Sequence, residues 1–196
     1  LEIRGTGNLL GPEQHGHLAA VGYDLYCKLL DEAISDIRGM TKEKTLDPTI
    51  DLGVDAYIDD SYISHEAHKI EFYKKIASID NMEDRMDVAD ELIDRFGDIP
   101  KTTENLIDIA YIKGLCKSIG IEELFERGQD IYMKMAREVK LDPKTIMTVL
   151  NENRNTLNYK SYPISVFTLK VNTMLPNQTI QVVKKILERI FALQQE

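Results

Sequence analysis

The chain has 196 residues, 43% of them apolar, enough to bury the core of one ordinary domain with a segment to spare. Its 24 basic and 33 acidic residues leave a formal charge of -9, so the molecule as a whole repels a polyanionic backbone and suits basic protein surfaces better. No apolar run approaches the roughly 20 residues of a membrane span, and no basic-then-apolar leader opens the chain, which points to a cytoplasmic setting with no membrane partner.

Leu1 begins in mid-pattern, and Leu1, Ile3 and Arg4-Gly5-Thr6-Gly7 read as the end of an element entering a glycine-rich turn. The chain is therefore expected to be a piece of a longer protein. Gly5, Gly7, Gly11 and Gly16 with Pro12 give residues 1–17 the backbone freedom of a loop. From Leu18 to Arg38 apolar residues recur every three or four positions (Leu18, Val21, Leu25, Leu29, Ala33, Ile37), and Gly39 closes the run as a cap. Cys27 in this helix and Cys116 in a later one sit among apolar neighbours and read as reduced, structural thiols.

Residues 41–49 read as a linker. Ile50, Leu52, Val54, Ala56 and Ile58 then alternate with Asp51, Asp55 and Asp59 as a half-buried strand would. Helices are predicted over 63–79, over 81–96 ending at Gly97, and over 101–119 after Pro100 and before Gly120. The last third carries short β-favouring runs at 124–125, 131–135, 156–159 and 166–171 around a helix at 143–150, and a final helix starts near Asn177. The order implies an α+β fold: a helical N-terminal half, a small antiparallel sheet and a C-terminal helix. Residues 1–45 are assigned to a connecting loop and helix, and residues 46–196 to one domain.

Several sites are weighed and set aside. Gly5-Thr6-Gly7 lacks the lysine-serine or lysine-threonine ending of a phosphate loop. His65 and His68 lie one helical turn apart, but Glu66 and Glu71 fall on other faces, short of the three or four ligands zinc needs. His15 and His17 flank Gly16 with no nucleophile beside them, and no serine sits at a strand-to-helix elbow. No catalytic residue and no metal site are assigned, and this segment is expected to be no enzyme in itself.

In the helix from Met82 to Phe96, Met82, Met86, Ala89, Ile93 and Phe96 fall in one stripe, taken as the core face. Opposite stand Asp87, Glu91, Asp94 and Asp98, a row of like charges that weakens an isolated helix, while Asp98 lies past the end, where the helix dipole disfavours a negative charge. Two readings stand at this point. The row is a solvated face, or it is a docking strip for a partner's arginines and lysines.

Two blocks carry a family resemblance. Leu1-Glu2-Ile3-Arg4-Gly5-Thr6-Gly7-Asn8-Leu9-Leu10-Gly11-Pro12-Glu13-Gln14-His15-Gly16 resembles the end of the translocation motif shared by RecG-like helicases and bacterial transcription-repair coupling factors. Phe72-Tyr73-Lys74-Lys75-Ile76-Ala77 with Glu91-Leu92-Ile93-Asp94-Arg95-Phe96-Gly97-Asp98-Ile99-Pro100 is similar to the C-terminal regulatory domain of the coupling factors, which RecG lacks. The resemblance covers roughly the first half strongly and the rest only by order of elements.

It implies a parent that is an ATP-driven double-stranded DNA translocase, binding ATP and Mg outside this segment, that displaces stalled RNA polymerase and recruits UvrA for nucleotide excision repair. Arg4 and Gln14 then match the motor-coupling arginine and glutamine of the motif. The family's C-terminal domain is held against a UvrB-like N-terminal module and masks the UvrA surface. That implication carries Glu91 and Asp94 over as partner contacts, and Asp87 and Asp98 extend the same stripe. Two departures are Lys69, where the family often has arginine able to pair in a bidentate way, and His15 in place of a common serine. The competing expectation is a DNA-contacting accessory domain of a RecG-like helicase, against which the charge of -9 weighs.

Overall fold

The structure, a computed structural model, describes residues 46–172 and 174–195. Arg4, Gln14, Cys27, the glycine-rich opening and the helix expected from Leu18 lie outside the described residues.

A short strand, β1 (Thr49–Asp51), is followed by three helices, α1 (Glu66–Ala77), α2 (Met82–Phe96) and α3 (Lys101–Ile119). Then come β2 (Ile121–Arg127), β3 (Asp130–Met135), α4 (Pro143–Glu152), β4 (Leu157–Lys160), β5 (Val166–Lys170) and α5 (Pro176–Gln195). Local chemistry explains the boundaries. The Asn81 side chain accepts the Asp84 amide at 3.0 Å and caps α2, and Asp142 does the same for Lys144 at 2.9 Å just before Pro143 opens α4. Gly120 closes α3 at φ +92°, a left-handed conformation that favours glycine.

Among the described residues the sheet has five strands in the order β1-β2-β3-β5-β4. It is mixed, where the alternation suggested antiparallel pairing throughout: β1 runs parallel to β2 and the other pairs are antiparallel. The half-buried strand expected from Ile50 to Ile58 keeps its alternation, with Leu52, Val54, Ala56 and Ile58 buried, but leaves the ladder after Asp51. Its backbone bonds go to α3 and α1 instead. The Asn105 side-chain amide donates to Asp55 O at 2.9 Å, the Tyr57 backbone amide to Thr102 O at 3.2 Å, and the Ile58 backbone amide to the Tyr73 hydroxyl oxygen at 3.0 Å.

One sheet face buries Leu124, Ile131, Met133, Phe167 and Leu169 in the same core as the helices, while Phe125 and Tyr132 stack on the other face with ring centroids 5.2 Å apart. The central element is α3, whose Leu106, Ile107, Ile112, Leu115, Cys116 and Ile119 are buried around its circumference. Gly114 permits the close approach of the α1–α2 corner, because a Cβ there would lie 2.6 Å from Asp80 O. Burial pushes the Cys116 thiol well above its ordinary pKa, so it stays neutral.

At the core's polar centre, Asp108 of α3 is wholly buried. It accepts from Arg85 of α2 (Nε 2.8 Å, Nη2 2.7 Å), and from Gln181 Nε2 at 2.8 Å and Lys184 Nζ at 3.0 Å, both of α5. Every buried side-chain nitrogen and oxygen among the described residues has a partner. Removing Asp108 strands two cations, so Asp108→Ala is predicted to cost about 3–5 kcal/mol in urea unfolding, and Asp108→Asn, which keeps acceptor capacity, distinctly less. Equal stability of Asp108→Ala and the unaltered chain would contradict this.

Candidate docking site

The packed face of α2 is set by Val88 and Leu92, both buried, with Ala89 and Phe96 half-buried beside them. That corrects the stripe expected from sequence. The helix is turned by about 70° from that stripe at 100° per residue, which leaves Met82, Met86 and Ile93 exposed. The cause is electrostatic as much as apolar: Arg85 must face inward to meet Asp108, and Glu91 must face α1 to meet Lys75.

Four charges close a ring between α1 and α2. Lys75 Nζ donates to Glu91 Oε1 at 2.6 Å and Oε2 at 2.7 Å, and lies 3.0 Å from Glu71 Oε1. Arg95 Nη1 donates to Glu71 Oε1 at 2.9 Å and to Glu91 Oε1 at 3.0 Å. The two cations also sit over the ring of buried Phe72, Lys75 Nζ at 5.1 Å and Arg95 Cζ at 5.0 Å from its centroid. Phe72 meets Phe96 edge to face at 5.5 Å, and Tyr62 ties down the end of α2 by donating to Gly97 O at 3.1 Å and Leu92 O at 3.3 Å. Burial, assisted by the charge of Asp98, raises the Tyr62 hydroxyl above its ordinary pKa.

The structure therefore separates the four acidic residues expected to act together. Glu91 is half-buried and engaged inside the domain, and its pKa is lowered first by the Lys75 hydrogen bond and then by Arg95. Asp87, Asp94 and Asp98 are exposed and form no ion pair among the described residues. Gly97 ends the helix at φ +84°, so exposed Asp98 lies beyond α2. Lys69 pairs with Asp60. His65 and His68 pack edge to face at 5.6 Å, with His68 against Phe96 at 6.1 Å, and no group of three metal-ligating side chains occurs among the described residues. No described helix is long and apolar enough to cross a membrane.

Sequence reasoning overlooked the ring and the Asp108 cluster. The i,i+4 pairs Glu71–Lys75 and Glu91–Arg95 were visible as spacing, and they show which charges are occupied. Arg95, then Lys75, hold the Glu71 carboxyl down from 4.5 to about 2. A carboxylate depressed in the folded state adds stability that is fully present above its ordinary value and is lost as pH falls through the folded one. Stability is thus predicted to fall between about pH 4.5 and 2 partly through Glu71, with Glu71→Gln flattening that decline in pH-dependent denaturation; an identical acid profile would contradict it.

Residues 52–146 match the TRCF domain. A transcription-repair-coupling factor of Staphylococcus epidermidis is 42% identical over 154 residues, 78% of this chain and 13% of that protein. One of Staphylococcus aureus is 39% identical over 150 residues, covering 74% and 13%. The chain thus spans about an eighth of the length of the curated relatives it matches. The solved C-terminal domain of a transcription-repair coupling factor superposes with a TM-score of 0.69 over 76% of this chain and 94% of its own; at 23% identity this likeness speaks for the α+β fold.

Proposed function

The chain belongs to the transcription-repair-coupling factor family, and from that premise we propose that its folded domain is a non-catalytic regulatory and docking module of an ATP-dependent DNA translocase. It docks on the UvrB-like N-terminal module of the same protein and masks the surface that UvrA needs until the translocase engages RNA polymerase and double-stranded DNA in the cytoplasm. ATP and Mg bind the motor, to which Arg4 and Gln14 belong by their motif.

The observation that supports this reading is the outward acidic row of α2. Asp87, Asp94 and Asp98 are exposed and unengaged among the described residues, next to a ring in which every charge already has a partner. No ion pair among the described residues relieves their repulsion, so a cationic surface gains from meeting them. Glu91 enters as a support: by holding Lys75 and Arg95 in the ring, it keeps those cations from neutralising the row.

Partly exposed ion pairs give about 0.2–1 kcal/mol each, so the contact makes a weak latch. Covalent linkage raises the effective concentration of the partner, and weak contacts then suffice to keep the domain closed. Binding energy from polymerase and DNA, spent on the open form, can release it.

Reversing Asp87 and Asp94 to lysine in the full-length protein is predicted to shift the latch by about 1–2 kcal/mol, a factor of about 5–30, toward the open form. UvrA binding and basal ATPase should both rise, and deletion from about residue 50 onward should raise them further. Values equal to those of the unaltered protein in both variants would refute autoinhibition.

A further inference from the structure

Met82, Met86 and Ile93 of α2 are 40%, 55% and 51% exposed, and at spacings of four and seven they form one apolar ridge along the helix. The ridge lies between two different surfaces. On one side are Ala89 and Phe96, half-buried at the edge of the core; on the other are Glu83, Asp90, Asp94 and Asp87, all exposed. A folded domain rarely leaves its large apolar side chains aligned in this way without a use, and an apolar centre with a charged margin is the anatomy of a protein interface.

We propose that this ridge is the apolar centre of the docking contact, and that its occupant is a protein surface with an apolar patch bordered on one side by arginine or lysine. The inference rests on the docking reading and adds to it that the latch closes by burial of methionine and isoleucine as well as by charge.

The charge of the margin selects among occupants. A second copy of the chain would bring its own acidic row against this one, and a nucleic acid would bring phosphates. The segment from Leu18 to Arg38 carries Asp24, Asp31, Glu32 and Asp36 against Lys28 and Arg38, so it too is of the wrong sign. A basic-rimmed protein patch satisfies both the ridge and its border. Unbranched methionines suit such a surface because they adapt their shape to the partner.

The methionines are their own probes, since an exposed thioether oxidises to the sulfoxide and a covered one is protected. Met147 of α4 is 57% exposed, nearly the same as Met86, and serves as the internal reference; buried Met133 and Met135 are the slow controls. Peroxide oxidation read by peptide mass spectrometry is compared between this chain and the full-length coupling factor that carries it, with and without Asp94→Lys. The expected result is Met86 oxidation slowed by about fivefold or more relative to Met147 in the full-length protein, and restored by Asp94→Lys.

Unchanged Met86 oxidation, with Asp94→Lys still raising UvrA binding, would overturn the ridge and leave the docking reading standing. Unchanged oxidation with no effect of Asp94→Lys on UvrA binding would overturn both. Protection that persists in Asp94→Lys would show that the occupant is not selected by charge, and would overturn the basic-rimmed partner.

Discussion

A buried carboxylate facing two cations fixes how the helices of this domain stand. Asp108 has no exposure to water and takes hydrogen bonds from Arg85, Gln181 and Lys184, so α2 and α5 are both tied to the central α3 through one side chain. Burying the charges of Asp108 and Lys184 beside a half-buried Arg85 is costly, and such clusters persist where the buried polar groups are engaged. The consequence for function is rotational. With Arg85 inward, the residues about half a turn away on α2 must point outward, and these include Asp87, Asp90 and Asp94. What the outside of the domain offers a partner is thus decided by a contact at its centre.

The ring of Glu71, Lys75, Glu91 and Arg95 acts at the other edge of α2. It clamps the helix to α1 over the Phe72 and Phe96 rings, and it engages the charges of Lys75 and Arg95 inside the domain. Tyr62 and the left-handed Gly97 end the helix beside it. Together these contacts divide α2 into three strips: one packed on the core, one occupied by internal ion pairs, and one left to solvent that carries both uncompensated acid and aligned apolar side chains. An interface needs such a combination, since charge steers and selects while apolar burial supplies affinity.

Local signals were readable from the sequence and long-range ones were not. Gly97, Gly120 and Pro100 mark real helix ends, because their effect lies within a turn of the residue itself, whereas the side-chain caps at Asn81 and Asp142 appear only in the structure. The alternation of Leu52, Val54, Ala56 and Ile58 reports burial correctly, yet it could not say that the hydrogen bonds after Asp51 go to a helix instead of a neighbouring strand. The face of α2 was misjudged because Met82, Met86 and Ile93 form as regular a stripe as Val88 and Leu92. What breaks the tie is Asp108, whose partners lie 23, 73 and 76 residues away along the chain. In the acidic row, spacing showed that the charges are near one another but not that Glu91 is occupied while Asp94 has no ion-pair partner among the described residues.

We propose that the solvent-facing strip of α2 holds another module of the protein that carries this domain. Titration of this chain with the separately produced UvrB-like module, over a range of ionic strength, bears on it most directly. Saturable one-to-one binding that weakens as salt screens the acidic row, and levels off at an affinity set by the apolar ridge, is the result the account predicts. Absence of binding at low salt, where charge attraction is strongest, would contradict it.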